Sequence, residues 1–140
     1  MTRVLVIEDE RPIRNSILEF LKLEGFDATA AENGRLGLQL ATERVPDLIL
    51  CDIEMPELNG YDVLASLRQN ATTAGIPLIF LTAKGNRSDL RRGMQLGAED
   101  YLPKPFAISE LRQAIATQLQ KKNLREQQVQ TKMDEIRGSI

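Results

Sequence analysis

The chain contains no histidine, and this absence excludes more chemistry than any other feature of its composition. It removes the commonest general base, the commonest transition-metal ligand and any phosphohistidine carried by the chain itself. Cys51 is the only cysteine, which rules out an intramolecular disulfide and a multi-cysteine zinc site. No apolar run approaches the roughly 20 residues that span a bilayer. Met1-Thr2-Arg3 leads straight into Val4-Leu5-Val6-Ile7 and then acids, which is not the pattern of a secretory signal. A cytoplasmic location with no membrane partner is therefore expected. The formal net charge of −2 offers no electrostatic reason for nucleic-acid binding. Carboxylates, hydroxyls, lysine and a hard metal ion are what remain for chemistry.

What is present fits one ordinary domain. The 140 residues are 42% apolar and 27% charged, enough to bury a sizeable core. Short apolar runs recur at residues 4–7, 26–30, 48–51 and 78–81, with a weaker one at 100–102. Longer segments between them carry helical periodicity: Ile13, Ile17, Leu18 and Leu21; Leu36, Leu40 and Ala41; Val63, Leu64 and Leu67; Leu90, Met94 and Leu96; Ile108, Leu111, Ile115 and Leu119. Pro12, Gly25, Gly34, Pro46, Gly60, Gly75, Pro77, Gly97 and Pro105 punctuate the boundaries. Strands alternating with helices imply a five-stranded parallel sheet, doubly wound, over residues 1–120. The last helix has no reason to stop there, because no proline or glycine follows Ile108 until Gly138. Residues 121–140 are expected to form a helical extension or connector.

In open α/β sheets ligands bind beyond the carboxyl ends of the strands. Glu8-Asp9-Glu10 follows the first run, Asp52 the third, Thr82 the fourth, and Lys104 lies just past the fifth. Clustered carboxylates repel one another, and a hard divalent cation such as Mg²⁺ relieves that repulsion. A carboxylate beside such an ion can act as nucleophile towards a phosphoryl group, with Lys104 and Thr82 stabilising the transferred oxygens. Singly, each residue has a plainer reading. Asp9 or Glu10 before Pro12 would serve as a helix cap, Asp52 as a turn residue, Thr82 as a strand-end hydroxyl, Lys104 as a solvated cation and Cys51 as core.

Four segments taken together resemble the receiver domain of two-component response regulators, the CheY-like, flavodoxin-like family, over roughly residues 2–120. They are Val4-Leu5-Val6-Ile7-Glu8-Asp9-Glu10, the stretch from Leu50-Cys51-Asp52-Ile53-Glu54-Met55-Pro56 to Asn59-Gly60-Tyr61-Asp62, Pro77-Leu78-Ile79-Phe80-Leu81-Thr82-Ala83-Lys84, and Gly97-Ala98-Glu99-Asp100-Tyr101-Leu102-Pro103-Lys104-Pro105-Phe106. The resemblance implies a phosphoacceptor at Asp52 and an acidic pocket of Glu8 and Asp9. Mg²⁺ would be held by the side chains of Asp9 and Asp52, by the Glu54 backbone carbonyl and through water by Glu8, a position the family usually fills with Asp. Thr82, Ala83, Lys104 and Tyr101 would be the phosphate-binding and switch positions, with a cis bond between Lys104 and Pro105. The implied role is a phosphoacceptor rather than an enzyme, limited to its own phosphorylation and slow dephosphorylation, with a sensor histidine kinase upstream and an effector or kinase domain downstream.

Further expectations attach to the same residues. Glu54 and Lys84 lie two positions after Asp52 and Thr82, so they should overhang the site mouth and modulate it as an opposed pair. Asp134-Glu135-Ile136-Arg137-Gly138-Ser139-Ile140 resembles the end of a connector entering a histidine-kinase dimerisation helix; a solvated helical extension is the alternative. Ile115, Leu119, Lys122, Glu126, Val129, Met133, Ile136 and Ile140 step by four and three, a heptad-like seam that predicts a homodimer through the last helix. No helix-turn-helix follows residue 120, so no transcriptional output is expected within the chain. Two other classes use similar parts. A haloacid-dehalogenase-type phosphatase would use Asp52 with an acid two positions on, and a docking module would use the fold without phosphate.

Overall fold

A computed structural model describes residues 1–83 and 87–138, with only the backbone considered at 87–90. The elements in chain order are β1 (Arg3–Ile7), α1 (Arg11–Leu23), β2 (Asp27–Ala31), α2 (Gly34–Glu43), β3 (Leu48–Asp52), α3 (Gly60–Gln69), β4 (Leu78–Thr82), α4 (Arg87–Gln95), β5 (Asp100–Pro103) and α5 (Ile108–Gly138). The five strands form one parallel sheet in the order β2-β1-β3-β4-β5. This is the doubly wound arrangement expected, and its strand order reverses between β1 and β3, where such sheets open a crevice.

Period-two alternation divides the strands between two cores. Leu5, Ile7, Ile49, Cys51, Leu78 and Phe80 pack with Val63, Leu64 and Leu67 of α3 and Ala41 of α2. Val4, Val6, Leu48, Leu50, Ile79 and Leu81 pack with Ile17, Phe20 and Leu21 of α1 and Leu111 and Ile115 of α5. All five residues of β3 and of β4 are buried, as continuous apolar runs in a parallel sheet require.

The helix faces differ from the periodic reading in three places. Met94 is 52% exposed, because Gly93 rather than Met94 faces the sheet: a Cβ there would stand 3.0 Å from the Phe80 ring; Ile108, at the first position of α5, is 53% exposed. On α2 the buried positions are Gly34, Gly37 and Ala41, and Leu36 and Leu40 pack at the margin. Phe26 ends a turn, its N–H donating to the Leu21 carbonyl at 3.0 Å, so β2 begins one residue later than the apolar run. The last helix continues without interruption through Gly138, and its final turns, from Asn123 onward, are exposed.

Candidate functional site

Each site residue sits where a strand hands the chain to a loop. Glu8 follows β1 and is completely buried, Asp52 closes β3 at 4% exposure, and Thr82 closes β4 at 3%. The β5–α5 loop is drawn in by the Lys104 N–H, which donates to the Thr82 carbonyl at 2.7 Å, and the Lys104–Pro105 bond is cis. On the other flank, α3 starts directly over the Asp52 backbone. Gly60 N–H donates to the Ile53 carbonyl at 2.8 Å, and a Cβ on Gly60 would come within 2.5 Å of the Asp52 carbonyl oxygen. Only glycine permits that approach. Asn59 and Asp62 close a reciprocal capping box over the first turn of α3.

Oxygens of Glu8, Asp9 and Asp52 converge within 4.8 Å of one another. Lys104 Nζ donates to Glu8 Oε1 at 2.5 Å and lies 3.5 Å from Asp52 Oδ1, so the lysine pairs more closely with Glu8 than with Asp52. Burial, together with the hydrogen bond and charge of Glu8, pushes the Asp52 carboxyl up to about 8, although Lys104 pulls the other way. For Lys104 burial works against the charge, but the Glu8 hydrogen bond and the charges of Asp52 and Glu8 outweigh it and hold the ammonium above its ordinary pKa. Burial also raises the Cys51 thiol, helped by the charges of Asp52 and Glu8. Cys51 is an inert core residue.

These observations decide between cap and pocket. Glu10 occupies the N-cap of α1 but makes no side-chain cap hydrogen bond. Asp9 Oδ1 is buried without any hydrogen-bond partner, a costly state for a carboxylate oxygen unless something else meets it. An all-oxygen donor set with one orphaned oxygen suits a hard divalent cation. Glu54 is exposed and stays outside this cluster, which removes the inward second acid that a dehalogenase-type phosphatase would need. Lys84, and with it the expected pairing with Glu54, lies outside the described residues. Ala83 is exposed at the end of β4, and Tyr101 is half-buried on β5 opposite Phe80.

Two arginines escape a reading by motif. Arg14 on α1 reaches back to the carbonyls of Glu8 at 2.8 Å and Asp9 at 3.3 Å, which pins the loop that carries both acids. Its signal was present only as a basic residue one helical turn past the acid run. Arg92 of α4 lies 4.6 Å above the Tyr61 ring and forms one wall of a cleft of about 510 Å³ with Glu54, Met55, Tyr61 and Thr82. No spacing rule in the sequence pairs residues 31 positions apart.

A family model described as the response regulator receiver domain matches residues 4–116. The transcriptional regulatory protein CpxR of Escherichia coli (strain K12) is 41% identical over 128 residues, covering 91% of this chain and 53% of its own length. The response regulator ArlR of Staphylococcus saprophyticus is 36% identical over 140 residues, covering 100% of this chain and 60% of its own length. Among solved structures, a response regulator receiver domain protein from Clostridium thermocellum superposes with a TM-score of 0.82 at 31% identity, covering 89% of this chain and 98% of that one. The chain spans about half the length of the curated relatives it matches.

Proposed function

This chain belongs to the response regulator receiver domain family, and from that premise we propose that Asp52 accepts a phosphoryl group from a phosphohistidine of a sensor histidine kinase. The observation that carries the reading is the Asp52 carboxylate itself, 4% exposed at the sheet's switch point, flanked by two acids and by a lysine at 3.5 Å. One Asp52 oxygen forms the new O–P bond as the N–P bond of the donor breaks, and the electron pair leaves with the imidazole. Lys104 then exchanges part of its contact with Glu8 for a phosphoryl oxygen, and the Thr82 hydroxyl and Ala83 backbone meet the others.

Mg²⁺ fits the donor set. Asp9 and Asp52 would hold it by side chain, Glu54 by its backbone carbonyl and Glu8 through water. When bound, it neutralises charge on the phosphoryl oxygens. Its fit rests on the orphaned Asp9 oxygen and the convergence of three carboxylates.

Movement of Thr82 towards the phosphate opens room for the half-buried Tyr101 to turn inward, which changes the α4–β5–α5 surface offered to partners. Glu54 and Lys84 modulate access at the site mouth. The receiver occupies residues 1–120, and residues 121–140 connect it to an effector or kinase domain, or to a second copy of the chain. The chain's partners are proteins rather than nucleic acid, it acts in the cytoplasm, and it turns over no substrate beyond its own acyl phosphate. Among the described residues no helix is long and apolar enough to cross a membrane.

Incubation with Mg²⁺ and acetyl phosphate, followed by intact-mass spectrometry, tests the assignment. Wild type gains one phosphoryl group and Asp52→Asn gains none; equal labelling of both removes Asp52 from the role.

A further inference from the structure

The Mg²⁺ site proposed above depends on where the Asp9 carboxylate stands, and the chain between β1 and α1 is not fastened in the usual way. Glu10 holds the N-cap position of α1 without a side-chain cap hydrogen bond, so the common tie between a loop and the helix it enters is missing. Pro12, in the first turn, brings no N–H to that junction. Glu8 is secured on its own account. Its N–H donates to the Ala31 carbonyl at 3.1 Å, and its Oε1 accepts from Lys104. Asp9, one residue on, carries the oxygen that is buried without a hydrogen-bond partner.

Arg14 supplies the missing tie. Its backbone N–H donates to the Glu10 carbonyl at 2.9 Å, which fixes the residue in the first turns of α1. Its half-buried side chain turns back over the loop, and one nitrogen, Nη1, donates to the Glu8 carbonyl at 2.8 Å and to the Asp9 carbonyl at 3.3 Å. Hydrogen bonds from a guanidinium are stronger than neutral ones. The Glu8 carbonyl belongs to the peptide plane before the Asp9 α-carbon and the Asp9 carbonyl to the plane after it. A peptide plane is rigid, so holding both planes holds φ and ψ of Asp9. The direction in which its side chain leaves the backbone is thereby set.

We propose that Arg14 is a positioning residue for the metal site: it aims the Asp9 carboxylate at Glu8 and Asp52, with which it converges, and so sets the affinity for Mg²⁺. The inference rests on the Mg²⁺ reading above. A guanidinium has no acceptor atom, so Arg14 acts through Asp9 and never as a ligand. Charge and geometry predict opposite signs. A cation beside an acidic pocket repels a dication, so deleting the charge alone would tighten binding. Deleting the clamp frees Asp9, which the ion must then order at its own expense. Loss of a group that orients a metal ligand weakens binding by about 10–100-fold, and with one of the two contacts long the lower end is expected.

An NMR titration of the full chain with Mg²⁺ measures this. Arg14→Met removes charge and donors but keeps an unbranched stem, whereas Arg14→Lys keeps the charge and loses the planar fork. Arg14→Met should bind Mg²⁺ about tenfold more weakly than wild type, with Arg14→Lys in between. In acetyl phosphate labelling, the Mg²⁺ concentration for half-maximal rate should rise by the same factor while the rate at saturating Mg²⁺ is kept. Should Arg14→Met not fold, Arg14→Lys carries the comparison. Tighter binding by Arg14→Met, or unchanged affinity in the folded variants, overturns the proposal. Asp9→Ala separates it from the reading beneath it. If Asp9→Ala binds Mg²⁺ as wild type does, the metal assignment fails and the Arg14 role with it. If Asp9→Ala loses the ion while the Arg14 variants keep it, the positioning role alone fails.

Discussion

Replacing Asp52 with Asn should stabilise the metal-free protein, because the fold holds this carboxylate in a place that disfavours its charge. Burial and Glu8 push Asp52 up to about 8 from 3.8. Between those values the folded chain holds a proton that the unfolded chain releases, so stability falls as pH rises from about 4 to about 8 and is level above that. At pH 7 roughly three pKa units of this shift are expressed, an upper bound of about 4 kcal/mol. Relaxation of the neighbouring acids and water entry reduce the realised value to about 2–3 kcal/mol. Asn is nearly isosteric, and its amide can donate to Glu8 and Asp9. With a urea m-value of about 1–3 kcal/mol/M, the midpoint should move up by about 1 M at pH 7 and by clearly less at pH 5. Millimolar Mg²⁺ should close much of the gap, since wild type keeps a ligand that the variant lacks. Equal midpoints at pH 7 without metal, or a gap that widens towards pH 5, would refute the electrostatic account.

Other substitutions probe separate parts of the site. Asp9→Ala should lose most Mg²⁺ affinity, as it removes a direct ligand from a site with few; an unchanged metal titration rejects that role. Thr82→Ala should take up phosphate yet change its near-ultraviolet spectrum less than wild type on doing so, and an equal change would reduce Tyr101 to a plain strand residue. Gly60→Ala should destabilise the fold by about 1–3 kcal/mol through collision with the Asp52 backbone, read by denaturation; a neutral result would show that α3 can shift freely. For Glu54 and Lys84, a double-mutant cycle on the dephosphorylation rate should give a small coupling of about 0.2–1 kcal/mol, and strict additivity dismisses the pair.

The sequence by itself determined the architecture and which polar residues gather at one edge of the sheet. Buried runs at β3 and β4 could only be central strands of a covered parallel sheet, and strand-to-loop junctions had to collect Glu8, Asp9, Asp52, Thr82 and Lys104 at one edge. Those inferences rest on local periodicity and on chain order, which are properties a sequence carries directly. Tertiary structure decided what depends on which atoms meet. Lys104 sits closer to Glu8 than to Asp52, and Glu10 fails as a cap while Asp9 keeps an orphaned oxygen. Arg14 and Arg92 join the site from helix faces. It also decided that Gly93 rather than Met94 faces the sheet, and that the heptad stripe of α5 faces its own receiver before it faces solvent. A period specifies which residues share a face. The direction of that face follows only once the helix is seated on a particular sheet, because seating balances the volume of side chains drawn from elements far apart in the chain.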